Sequence, residues 1–130
     1  MVLELLDSLL KNADIDPTRI YVTGLSLGGE GVFDIITRKP RLFAAAVPIC
    51  GVADTSKTNL MVSTPLWIFH GDADDVNEVK YSRMIVEDIK KRGGKPRYTE
   101  YPGVKHNSWI NAYKEKELLP WIFNQKCRKN

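Results

Sequence analysis

Cysteine and histidine are scarce here: 130 residues hold two of each, Cys50 and Cys127, His70 and His106. The cysteines lie far apart and lack the spacing of a zinc-ligand pair or a redox pair, so both are expected as free thiols. Neither a disulfide framework nor a metal centre is indicated, and nothing calls for a cofactor. No apolar run is long enough to cross a bilayer, which argues against a membrane span. The first residues lack a basic stretch, an uninterrupted apolar core and a small-residue cleavage site, leaving a soluble, cytoplasmic chain as the default expectation. An excess of one charge is missing too. The net charge is +3, and the basic residues are scattered apart from Lys126, Arg128 and Lys129. Residues 124–130 therefore read as a solvated, flexible tail rather than a nucleic-acid site. There is no internal repeat. What remains is 43% apolar and 27% charged residues, the composition of one globular domain spanning 1–130 with a core of its own.

The chain is organised around Arg19-Ile-Tyr-Val-Thr-Gly-Leu-Ser-Leu-Gly-Gly29, where an apolar, β-branched run breaks at Gly24 and passes straight into a helical pattern. Gly24-Leu25-Ser26-Leu27-Gly28 fits the G-x-S-x-G elbow. In it a serine sits at the tip of a sharp strand-to-helix turn, and the flanking glycines let strand and helix pack without a β-carbon between them. Ser26 is the candidate nucleophile.

Val2, Leu3, Leu5, Leu6, Leu9 and Leu10 form an apolar stripe at helical spacing, which predicts a packing helix. A polar turn containing Asp16-Pro17 leads to a strand over Ile20–Thr23. Beyond the elbow, Val32, Phe33, Ile35 and Ile36 carry a helix that Arg38 and Lys39 suit at its negative end and Pro40 stops. The continuous apolar runs Phe43–Ile49 and Leu66–His70 are expected of strands buried on both faces of a parallel sheet. Between them, Gly51–Thr64 is a polar connection with room for a helical turn. Val79 to Ile89 gives a helix ended by Gly93-Gly94, Arg97–Tyr101 a short strand, and Leu118–Phe123 a last helix. Strands alternating with helices imply an α/β domain of about four parallel strands covered on both faces, with ligands at the strands' carboxyl ends. Ser26, Asp74 and His106 all follow predicted strands.

A serine hydroxyl needs an imidazole to take its proton and a carboxylate to orient that imidazole. His70 closes an apolar strand and reads as a structural, hydrogen-bonded histidine, whereas His106 sits in a polar loop where a base can reach the serine. For the carboxylate, spacing leaves Asp72, Asp74 and Asp75 open, with Asp54 an outside choice and Asp75 an alternative cap for the following helix.

These segments resemble the α/β-hydrolase superfamily, in particular carboxylesterase and phospholipase-like esterases related to polyhydroxybutyrate depolymerases and to prolyl oligopeptidase catalytic domains. Residues 19–29 look like their elbow and Ala44-Ala-Ala-Val-Pro-Ile-Cys-Gly51 like their next strand. His70-Gly-Asp-Ala-Asp-Asp-Val76 is similar to their H-G-x-x-D-x-V segment, and Tyr101-Pro-Gly-Val-Lys-His-Asn-Ser-Trp109 to their histidine loop. Carried over position by position, the resemblance implies Ser26 as nucleophile, Asp74 as acid and His106 as base, with the Leu27 backbone N–H as an oxyanion donor. Trp109 is expected either to line a substrate pocket or to anchor the histidine loop in the core. The implied activity is hydrolysis of a small carboxylic ester, short-chain or aryl, through an acyl-enzyme; peptidase or acyltransferase chemistry is the enzymatic alternative. Val76-Asn77-Glu78 and Lys105 depart from the common family pattern at the site's rim.

Relatives have several strands, and the loop bearing a second oxyanion donor, before the helix at Val2–Leu10. With the chain entering the fold at that helix, the elbow strand is expected at a sheet edge with an apolar flank exposed. That leads to two further expectations: self-association or completion by an N-terminal segment, and, as the non-enzymatic alternative, a weakly active or inactive hydrolase module.

Overall fold

The structure is a computed structural model and describes residues 1–128; Lys129, in the basic tail, lies outside the described residues, as does Asn130. Four strands form one sheet in sequential order, β1 (Tyr21–Leu25), β2 (Ala45–Ile49), β3 (Trp67–Gly71) and β4 (Arg97–Tyr101), every neighbouring pair parallel. Five α-helices accompany them: α1 (Val2–Asn12), α2 (Leu27–Arg38), α3 (Val79–Lys91), α4 (Trp109–Ala112) and α5 (Leu118–Phe123). A 3-10 helix over Thr55–Leu60 occupies the β2–β3 connection. The expected α/β domain of about four parallel strands is what forms.

The two-residue alternation of the strands splits the core into two layers. On one face Ala46, Leu66 and Ile68 meet Val32, Phe33 and Ile36 of α2 and Ile85, Val86 and Ile89 of α3, with Leu3 and Leu6 of α1 at the margin. On the other, Val47, Ile49, Trp67 and Phe69 meet Ala112, Leu118 and Ile122. All five residues of β2 and of β3 are buried, which is why both read as unbroken apolar runs. Trp67 is fixed on three sides: Phe69 stacks on it at 4.9 Å, the Arg97 guanidinium lies 3.5 Å over its ring, and its indole N–H donates to Thr99 Oγ1 at 2.9 Å.

Two features differ from the sequence reading. The α1 stripe buries only part of itself: Val2 and Leu5 are 62% and 61% exposed, because α1 lies at the β1 end of the sheet and none of the described residues covers its outer side. The histidine loop contains the extra short helix α4, since a four-residue turn carries no periodicity to read. In the tail, Cys127 N–H donates to Thr18 C=O at 2.8 Å and Tyr21 Oη–H to Gln125 C=O at 2.9 Å, so the described residues of 124–128 run along the start of β1. Both cysteines are free.

Gly71, at the end of β3, shows how the sheet positions its loops. A β-carbon there would run into the carbonyls of Val104 and Lys105, so the histidine loop crosses directly over this backbone. The crossing is pinned by Ala73 N–H to Val104 C=O at 3.1 Å and Gly103 N–H to Asp72 Oδ1 at 2.7 Å. Gly71→Ala is expected to cost about 1–3 kcal/mol by crowding and to displace the loop. Urea unfolding together with the imidazole NMR signals of His106 checks both.

Candidate active site

β1 delivers the chain to Ser26 in a conformation that side chains rarely adopt, φ 53° and ψ −119°. Two contacts hold it there. Gly24 lies so close to the Gly28 backbone that any β-carbon would collide, and Ser26 N–H donates to Ile49 C=O of β2 at 2.9 Å. The strain, of order 1–3 kcal/mol, turns the hydroxyl out of the strand-to-helix turn instead of letting it cap α2, which it does not do.

Ser26 Oγ lies 2.8 Å from His106 Nε2. The other ring nitrogen of His106, Nδ1, lies 2.9 Å from Asp74 Oδ2 and 3.1 Å from Oδ1. A carboxylate only accepts, so Nδ1 carries the proton and Nε2 accepts from the serine hydroxyl. Thus the structure brings together the three residues expected from the sequence. The Asp74 side chain is fully buried and that of His106 is 20% exposed.

Burial is the strongest influence on Asp74 and pushes its carboxyl pKa up. It is outweighed by the His106 N–H and by the backbone N–H groups of Val76 and Asn77, each 2.9 Å from Oδ1, so the pKa falls below its ordinary value. Asp74 is held as a carboxylate.

The other acidic residues have different tasks. Asp72 accepts from Gly103 N–H and ties the histidine loop down, and Asp54 caps the 3-10 helix through Ser56 N–H at 3.0 Å. Asp75 is exposed, and the residue at the cap of α3 is Glu78, whose side chain makes no capping bond. Leu27, 78% exposed, opens α2 immediately after Ser26. Trp109 packs partly into the second core layer and meets His106 edge-to-face, ring centres 5.7 Å apart.

Three contributors were not singled out from the sequence. Cys50, with φ 44°, ends β2 beside the site; its sulfur, an Asp74 oxygen and a His106 nitrogen lie within 4.8 Å of one another. Burial pushes this thiol up, so it stays neutral. Ser108 is wholly buried, with its hydroxyl beside the Cys50 thiol. Asn77, at a departure from the family pattern, donates its amide to Cys50 C=O at 2.8 Å and so ties the acid loop to the end of β2. No signal in the sequence marked Cys50, whose positive φ shows only in the folded backbone.

A parallel sheet with a strained serine after one strand and an imidazole and a carboxylate from later loops defines an α/β-hydrolase fold. The chain belongs to the dienelactone hydrolase family, which it matches over residues 2–118. It is 31% identical over 122 residues to acyl-protein thioesterase 1 of Neurospora crassa, covering 80% of this chain and 46% of that protein. It is 42% identical over 48 residues to poly(3-hydroxyalkanoate) depolymerase C of Paucimonas lemoignei, covering 37% of this chain and 12% of that one. Among solved structures, a thermostable esterase superposes with a TM-score of 0.93 at 42% identity, covering 96% of this chain and 36% of its own. The chain thus spans less than half the length of these relatives.

The lowered pKa of Asp74 has a consequence for acid stability. A carboxyl titrating lower in the folded than in the unfolded state stabilises the fold above its ordinary value, and that contribution is lost as pH falls through the depressed one. Glu100, held at about 2 by the Arg83 guanidinium and the Tyr98 hydroxyl, behaves likewise. Stability is therefore expected to fall below about pH 4, and Asp74→Asn to flatten part of that slope, read by urea unfolding at a series of acidic pH values.

Proposed function

We propose that this chain carries the catalytic centre of a serine-dependent carboxylic ester hydrolase working through an acyl-enzyme, with Ser26 as nucleophile, His106 as general base and Asp74 as the orienting acid. The observation that supports this above all is the continuous hydrogen-bonded line from Ser26 Oγ through His106 to Asp74, with the serine on a strained elbow. In this reading Ser26 Oγ attacks the ester carbonyl while Nε2 takes its proton, and Asp74 stabilises the imidazolium that forms. The oxyanion is met by the Leu27 N–H, and His106 returns the proton to the departing alcohol. Water then repeats the sequence on the acyl-enzyme. The esterase and thioesterase names of similar proteins favour a small ester or thioester, and short-chain or aryl esters are the proposed substrates; peptidase or acyl-transfer chemistry would use the same groups.

Ser26→Ala, His106→Ala and Asp74→Asn should each lower hydrolysis of a short-chain aryl ester by about 10³-fold or more while leaving the fold intact, since the three act as a unit. Asp75→Asn and Asp72→Asn should be mild, the latter because an amide oxygen still accepts from Gly103. Stoichiometric labelling of Ser26 by a fluorophosphonate tests the same reading directly; well-folded protein that stays unlabelled would leave the inactive-module reading standing. Trp109→Ala separates its two roles: altered ester preference at nearly constant melting temperature marks a pocket wall, and a large stability loss with preference kept marks an anchor.

A second reading, that the chain works only when assembled, is favoured by the edge position of β1 and the exposed Val2, Leu5 and Leu9 of α1. Two copies could join β1 edges antiparallel about a two-fold axis, covering those side chains. Sedimentation at micromolar concentration should show a dimer; a stable monomer with ordinary esterase turnover would overturn this.

A further inference from the structure

Asp74 faces two imidazoles, not one. Besides His106, its Oδ2 lies 3.1 Å from Nε2 of His70, and the side chains of both His70 and Asp74 are fully buried. His70 Nε2 is also 2.7 Å from Asn77 C=O, while Nδ1 lies 2.7 Å from Ser82 Oγ, on the inner side of α3. The proton positions follow from these partners. A carbonyl and a carboxylate both only accept, so Nε2 carries the proton. In the neutral ring Nδ1 then accepts from the Ser82 hydroxyl, which is 1% exposed and aims the ring. Hydrogen bonds therefore run from Ser82 to His70 and on to the Asn77 carbonyl, and the Nε2–H edge of the same ring lies against Asp74 Oδ2, where the line from Ser26 and His106 ends.

We propose that His70, aimed by Ser82, is a positioning residue that sets the basicity of His106 through Asp74. The physical reason is the sharing of Oδ2. The Nδ1–H of His106 and the positive Nε2–H edge of His70 both face that oxygen; the second contact satisfies part of its charge and weakens its pull on His106, so the imidazolium is less stabilised than beside a bare carboxylate. The inference deepens the triad reading and rests on it.

The charged and titratable groups around His70 are few. Asp74 comes from its own loop and His106 from the loop after β4. Glu100 is its register partner on β4, already bound by Nε and Nη2 of Arg83 on α3 and by the Tyr98 hydroxyl. Cys50, at the end of β2, is a neutral thiol beside Asp74.

The chain has only two histidines, so uniform ¹⁵N-histidine labelling yields two imidazole spin systems and reads both tautomers without any substrate. The expected spectrum has His70 protonated at Nε2 and His106 at Nδ1. In His70→Leu the His106 titration should move upward by about half a unit to one unit. In His70→Gln, whose amide still offers an N–H near the Nε2 position, most of that shift should vanish, and Ser82→Ala, which removes little packing, should give a smaller upward shift. The acid limb of kcat/KM should move with the NMR titration, so that His70→Leu loses about three- to tenfold at the foot of the limb and little on the plateau. An unmoved His106 titration with equal loss of kcat/KM at every pH would assign His70 a purely structural role and overturn the proposal, as would a downward shift. A shift in the NMR titration with no ester hydrolysis at all would leave the His70 coupling standing and sink the triad reading instead; if His70→Leu does not fold, the glutamine and alanine variants carry the test.

Discussion

The backbone conformation at Ser26 is the constraint on which the rest depends. With φ at 53° the residue costs free energy wherever the chain is free to relax, so the surroundings must over-determine it. They do so from three directions: Gly24 passes too close to the Gly28 backbone to carry a side chain, the β2 carbonyl of Ile49 takes the Ser26 N–H, and α2 buries Val32, Phe33 and Ile36 against the sheet. None of these is local to the serine alone. The strain is sustained by core packing, whose worth, roughly 1.5–3 kcal/mol for each large apolar side chain buried, exceeds it several times over.

The parallel, sequentially ordered sheet then does the assembling. Because β1, β2, β3 and β4 run the same way, the segments leaving their carboxyl ends emerge along one edge. Ser26 leaves β1, Cys50 ends β2, Asp74 follows β3 and His106 follows β4. The acid loop is the keystone, since it joins two of the others: Asn77 reaches Cys50, Ala73 and Asp72 hold the histidine loop, and Asp74 bonds His106. Gly71 permits that overlap by leaving the space that Val104 occupies.

What the sequence made legible follows the same division. The elbow, the two fully buried strands and the order serine, aspartate, histidine are written in short-range pattern and spacing, and the resemblance selected Asp74 from three aspartates that spacing could not separate. The structure supplies the distinction in physical terms: Asp72 is spent on Gly103, Asp75 points to solvent, and only Asp74 is buried with N–H groups around it. The half-bare α1 stripe packs through Leu3 and Leu6 only, since amphipathic spacing reports which residues prefer burial, not whether a neighbour exists to bury them. Cys50 and Ser108 were invisible for another reason, being brought to the site only by the folding of β2 and the histidine loop.

His70 is the instructive middle case. Its position at the end of an apolar strand marked it as a buried, hydrogen-bonded histidine, and that much holds. The sequence could not say to what it bonds, because Ser82 is one polar residue on an otherwise ordinary amphipathic helix. Three-dimensional packing turns that unremarkable serine into the partner of Nδ1, and so leaves Nε2–H with nowhere to point but Asn77 and Asp74. Burying an imidazole, a carboxylate and a hydroxyl together is costly unless every donor meets an acceptor. Here each does: Val76, Asn77 and His106 donate to the two Asp74 oxygens, and His70 donates to the Asn77 carbonyl beside them. A carboxylate so thoroughly satisfied is rigid in direction and moderated in charge, which are the two properties an imidazole needs from its partner if it is to stay aimed at Ser26 and remain free to accept a proton.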